Sequence, residues 1–221
     1  MRLFGQPESV KRYKHLRAAG KELIHKLHDT ISRDDFDIFK AAKKLTLPVQ
    51  GRTFIFEQGE TDTTALMDFL LLDFRAGGRR PVDCCDPEAA GFSEDEKALL
   101  EAFRSARSSL FEVVSVDSKF ACVRLRDLLK PEEPDVMLSD ISLSLSKCLP
   151  GGALIFLRVV TCQGIQMSSG CLFVFSIQHR ARLLAEFSER MKNVLPNDLA
   201  QRSFIFFYQR HREFGQAQTY A

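Results

Sequence analysis

The chain has 221 residues, with 31 Lys and Arg against 29 Asp and Glu, so its formal charge is +2. Hydrophobic residues make up 45% and charged residues 27%. This ordinary globular composition excludes collagen-like, disordered and disulfide-dense classes, and the length supports one domain or two small ones packed together.

The opening MRLFGQPESVKRYKH lacks an apolar signal-peptide core. The most apolar runs, 65–72 and 153–160, are eight residues each and contain Asp68 and Arg158. A membrane span needs about 20 apolar residues, so no membrane association and a cytoplasmic location are expected. Six cysteines without paired spacing fit a reducing compartment, with free thiols and no structural zinc. Phe outnumbers Tyr 19 to 3 and Trp is absent, so the aromatics read as core filler.

The first 47 residues read as helical. Val10, Tyr13, Leu16, Gly20, Leu23, Ile24, Leu27 and Ile31 recur at helical spacing, with Lys11, Arg12, Lys14, Lys21, His25 and His28 on the other faces. Ser32, Asp34 and Asp35 mark a second helix carrying Phe36, Phe39, Ala42 and Leu45, ended by Pro48. Residues 52–57 (RTFIFE) read as a short strand. Thr61 and Asp62 cap a helix reaching about Phe74 that is apolar almost all round and therefore central. Residues 75–86 form a turn-rich loop, and Ser93 with Glu96 signs a capping box.

From about Leu110 to Phe175 the pattern becomes β. LFEVVSV and KFACVRL flank a turn at Asp117-Ser118. Ile141, Leu143 and Leu145 alternate with serines as a half-buried strand, and ALIFLRVV and CLFVFSI follow. Residues 178–194 return to helix. Asp198 and Gln201 can cap a last helix to about Glu213, although SFIFFY within it has strand propensity, so 199–213 stays open between the two. The expected fold class is α+β: a mainly helical part (1–108), a small antiparallel β meander or barrel (109–177) and C-terminal helices (178–221).

Charge is unevenly placed. Residues 1–28 hold seven Lys/Arg against two acids, residues 57–101 four against twelve, and residues 178–214 seven against four. Either the basic first helix, through Lys14 and Lys21, meets nucleic acid or an acidic partner, or the basic ends dock on the acidic middle. The absence of a net basic surplus or a recognisable motif disfavours nucleic acid. His25 and His28, three apart on one helix, could contribute to a metal site but lack further ligands, and Lys21 would repel a cation. Cys84 and Cys85 lie between Asp83 and Asp86, whose charges raise a thiol pKa, with Arg79 and Arg80 partly offsetting them. Asp68 and Asp73 interrupt the apolar helix. Five residues apart, they would point about 140° apart, so a structural pairing with Arg or Lys is expected rather than a dyad. No phosphate loop, nucleophile elbow or zincin motif is present, and Ser168-Ser169-Gly170 lacks a strand-turn-helix setting.

The order LTLPVQGRTFIFEQGETDTTALMDFLLLDF, SLFEVVSVDSKFACVRLRDLL and LRVVTCQGIQMSSG resembles a group of uncharacterised bacterial proteins, some of which carry a C-terminal SEC-C zinc motif. The resemblance covers roughly residues 45–175 and implies a helical part followed by a small β unit of unknown biochemical role. No CxC stands near the end of this chain and no cysteine follows Cys171, so neither a zinc role nor a catalytic residue carries over. The expectation is a non-catalytic binding or interaction module without a cofactor, its partner unidentified and possibly a protein. The alternatives are an enzyme with a pocket between the Asp68 helix and the β unit, and nucleic-acid binding through the first helix.

Overall fold

The apolar stripe of the first helix is buried, as its spacing requires. In a computed structural model, which describes residues 7–31, 35–75, 77–146, 149 and 151–216, α1 (Glu8–Ile31) turns Val10, Tyr13, Leu16, Leu23 and Leu27 inward and leaves Lys11, Lys14 and Lys21 exposed. α2 (Asp35–Lys44) stops short of Pro48. The start signal at Ser32 and Asp34 lies outside the described residues.

Residues 52–57 do not form one strand. β1 (Val49–Gln50) and β2 (Thr53–Phe54) make a minimal hairpin around Gly51, whose φ of 64° suits glycine. Phe54 and Phe56 instead pack against the main core. α3 (Glu60–Leu72) follows Gly59 and has no side-chain cap. Asp62 accepts from the Gln58 N–H (2.9 Å) and from the Tyr208 hydroxyl (2.7 Å), tying the helix start to the last helix. The turn-rich loop contains a short helix, α4 (Pro81–Cys84). α5 (Glu94–Ser105) opens with the expected capping box of Ser93 and Glu96.

The β unit is a closed five-stranded barrel of β3 (Arg107–Asp117), β4 (Cys122–Asp127), β5 (Val136–Ser139), β6 (Leu154–Cys162) and β7 (Ile165–Phe175), in the order β3-β4-β5-β7-β6. Neighbouring strands are antiparallel except β5 and β7, which run parallel. This is the Greek-key connectivity of OB-type barrels. Phe111, Val113, Val123, Leu125, Leu138, Ile155, Leu157 and Val174 fill the interior. The third strand is Val136–Ser139 and not the serine-alternating run after it. That run is α6 (Ile141–Leu145), a single helical turn capped by Asp140, which accepts from the Leu143 N–H. Its Leu143 joins the barrel interior.

Helices cover β3, β6 and β7. On the outer wall, Leu154 and Phe156 meet α3 and α8 (Pro196–Phe214), while Val160 and Cys162 meet α1 and α5. β6 is therefore buried on both faces, which is why its sequence runs apolar without alternating. After a 3₁₀ turn, α7 (Arg180–Met191) leads into α8. The SFIFFY segment is helix: Pro196 suits the first turn, and burial of Phe204, Phe206, Phe207 and Tyr208 overrides strand propensity. Asp198 does not cap it, and Gln201 donates to the Asp73 carbonyl oxygen (3.2 Å).

Candidate functional site

Asp68 and Asp73 converge, contrary to their sequence spacing. Asp73 is the C-cap of α3 and has left the helical path, so the angular arithmetic fails there. Both carboxylates meet Arg158 of β6, which is 2% exposed. Arg158 donates to Asp68 Oδ2 from Nε (3.4 Å) and Nη2 (3.3 Å), and pairs closely with Asp73 Oδ2. One guanidinium thus faces two buried acids where the α3 helix meets the barrel. Burial pushes the Asp73 carboxyl up to about 6, against the pull of Arg158 and with a further push from Asp68. Asp73 Oδ1 is buried without a partner, where a proton is easier to hold than charge. The Cys171 thiol beside them is driven well up by burial, with a further push from Asp68. These acids anchor the fold.

The raised Asp73 value has a measurable consequence. A carboxyl with a native pKa of about 6 against an ordinary 3.8 binds more protons folded than unfolded between those values. Its stabilising contribution is greatest below 3.8 and is lost as pH rises through about 6. His28 and His211, whose pKa values burial lowers, act in the opposite sense. The difference between wild type and Asp73→Asn cancels those terms. In urea titrations, wild type should gain about 1 kcal/mol over the variant on going from pH 7.5 to pH 5. A flat difference would place no titrating proton on Asp73.

The other sequence candidates scatter. His28 is half-buried, and its Nε2 has no partner; burial, then the neighbouring His25, keep it neutral. Among the described residues, no group of three or more His, Cys, Asp or Glu is placed to hold a metal ion. Cys84 is exposed and Cys85 half-buried at the end of α4. Burial raises the Cys85 thiol, Arg104 lowers it and Asp86 raises it again. Arg80 is engaged with Asp83 through two hydrogen bonds (2.7 and 2.6 Å), and Arg104 donates to the carbonyl oxygens of Val82 and Cys85. The arginines here stitch a loop together.

Lys14 and Lys21 do come together with other groups. On one side α1 docks on the acidic start of α5, through His15–Asp95 (2.8 Å) and Lys26–Glu96 (2.7 Å). On the other, Lys14, Arg17 and Lys21 line a cleft of about 470 Å³ between α1, α6 and β7. Tyr13, Asp140, Ser142 and Ser168 complete its polar lining. Arg17 donates from Nη1 to the Ser168 carbonyl oxygen (2.9 Å), and its guanidinium crosses Gly170. Gly170 has φ 110°, a backbone conformation that calls for glycine, and a Cβ there would stand 2.9 Å from Arg17 Nη2 and displace the guanidinium. Asp140 is buried and already accepts from the Leu143 N–H (3.0 Å) and the Ser168 hydroxyl (2.8 Å). Burial, then the Asp140 charge, raise the Tyr13 phenol, which stays neutral.

A smaller pocket of about 170 Å³ adjoins this cleft and shares Arg17, Lys21 and Ser168 with it. Leu16, Gly20, Ile24, Phe103 and Met167 form its apolar walls, and His25 and Ser169 add polar groups. The Ser169 hydroxyl is buried without a partner. Arg17 and Asp140 carried no sequence signal and Ser168 only that of the Ser168-Ser169-Gly170 turn, because Arg17 and Ser168 meet only through packing of α1 on β7 across 151 residues of chain.

No curated protein and no solved structure matches the chain. A family model matches residues 7–221, nearly the whole length. The chain therefore belongs to a family of unknown function, DUF7986.

Proposed function

We propose that the chain is a binding module that takes an anionic ligand into the cleft between α1 and the barrel. One observation carries the reading: Arg17 and Lys21 face the cleft beside a single carboxylate, Asp140, whose oxygens are both engaged within the fold. Low-dielectric walls strengthen the pull of such a surplus on an anion. Binding is favoured over nucleophilic catalysis because the Ser168 hydroxyl donates to the Asp140 carboxylate (2.8 Å) and, among the described residues, the cleft lining holds no imidazole of the kind that activates catalytic serines.

Inorganic pyrophosphate is a suitable probe for calorimetric titration. Lys14→Ala with Lys21→Ala should weaken its binding by about tenfold or more, since each lost charge-assisted contact is worth about 1.5–3 kcal/mol before solvent competition. Both side chains are exposed, so stability should change by no more than about 0.5 kcal/mol for each. Binding that is absent at millimolar pyrophosphate, or indifferent to the double substitution, would exclude the reading.

A second reading has its own observation. OB-type barrels bind oligonucleotides and oligosaccharides on the face of their second and third strands, here β4 and β5. That face carries Arg124, Arg126 and Met137, which is 53% exposed, with Phe120, 47% exposed, on the preceding turn. Asp135 pairs with both arginines, which lowers their surplus charge. A single-stranded oligonucleotide separates the readings: binding lost in Phe120→Ala but kept in the double Lys variant would assign the β4–β5 face.

A further inference from the structure

Gly20 stands in the middle of α1, where glycine costs about 1 kcal/mol relative to alanine. Neither conformation nor packing calls for it. Its φ lies outside the left-handed region, and a Cβ built on it would have no non-neighbouring heavy atom within 4 Å. What a side chain would enter is the smaller pocket, of which Gly20 forms a wall. Leu16 and Ile24, one turn either side on the same face, make the ends of a notch whose middle side chain is missing. Phe103 and Met167 close it.

The notch lies next to the basic cleft, because Arg17, Lys21 and Ser168 line both spaces. At about 170 Å³ it has room for one ring system, well below the roughly 300–1,000 Å³ of pockets that enclose a whole drug-sized ligand. Its character is mixed. Apolar walls favour a flat body, while the unpartnered Ser169 hydroxyl and His25 offer hydrogen bonds that a hydrocarbon ring could not use. The guanidinium of Arg17 is a planar surface of the kind that stacks on aromatic rings.

We infer that the ligand is a nucleoside phosphate whose base lies in the notch at Gly20 and whose phosphate meets Lys14, Arg17 and Lys21. The inference rests on the anion-binding reading above and adds the chemistry of the ligand's other end. A helix-weakening glycine on the pocket wall is then the means by which space for the base is kept.

The test compares the four ribonucleoside 5′-monophosphates with ribose 5-phosphate, which has the same phosphate and no base. At least one nucleotide should bind about tenfold tighter than ribose 5-phosphate, the effect of burying one ring contact. Gly20→Leu should abolish that advantage, leave ribose 5-phosphate binding unchanged and preserve the melting temperature, since leucine favours helix, its Cβ meets no atom, and the rest of its side chain fills the notch between Leu16, Ile24, Phe103 and Met167. Equal affinity for all five compounds, or a base preference that survives Gly20→Leu, overturns the inference and leaves the anion reading standing. Failure of all five, and of pyrophosphate, to bind removes the anion reading and the inference together.

Discussion

Arg158→Ala is expected to destabilise the protein by about 3–5 kcal/mol, the loss that follows when one partner of a buried ionic cluster is removed. The magnitude follows from what remains. Asp68 and Asp73 are both buried, and without the guanidinium they would be two like charges facing each other with no cation between them. Protonation would relieve part of this, since burial already drives Asp73 up to about 6. The variant should therefore be least stable at alkaline pH and recover on acidification. Adding Asp68→Asn and Asp73→Asn to Arg158→Ala should restore a large part of the loss, because it removes the unpaired charges while keeping their shape. Guanidinium denaturation of the single and triple variants measures both effects. A loss below about 1 kcal/mol for Arg158→Ala would mean that water reaches the cluster and that its charges are not desolvated.

The same cluster shows where sequence reasoning stops. The apolar character of α3 and the need to pair its acids were both legible, but the partner, Arg158, lies 85 and 90 residues away and was visible only as a charge inside an apolar run. Helical spacing placed α1 because 24 residues give its stripe many repeats. It failed at α6, where five residues of alternating Ile, Leu and Ser satisfy a strand period as readily as one helical turn. There the Asp140 cap and the insertion of Leu143 into the barrel decide the outcome, and both depend on tertiary contacts. Five strands were expected, but closure and the parallel β5–β7 pairing rest on register, which a pattern of period two does not encode across a long connection. Of the candidate site, Lys14, Lys21 and His25 were legible as a polar helix face, whereas Gly20 read as one more position in the apolar stripe. Its meaning appears only when the space beside it is seen to be open.

Phe156→Ala is the second large expected loss, about 3–5 kcal/mol for a buried phenylalanine reduced to a methyl group. Phe156 sits on the outer wall of β6 and is 2% exposed. Its ring stacks on Phe207 (4.4 Å between centroids) and on Phe173 (5.9 Å), and meets Phe204 edge-on (6.1 Å). Phe204 and Phe207 belong to α8 and Phe173 to β7, so one ring joins two strands of the barrel to the last helix. The cavity left behind would be lined by three rings fixed on two different elements, β7 and α8, which limits collapse and places the cost towards the upper end. Phe156→Leu should cost less, because most of the volume is retained. Phe120→Ala is the matched control: its ring is 47% exposed and meets no other aromatic ring among the described residues, so about 0.5 kcal/mol or less is expected. Urea midpoints give the comparison, and hydrogen exchange locates it. Amides of α8 should lose protection more than those of α5, whose packing on α1 does not pass through Phe156. Equal midpoints for Phe156→Ala and Phe120→Ala, or uniform loss of protection in both helices, would show that α8 is not held on the barrel through this ring.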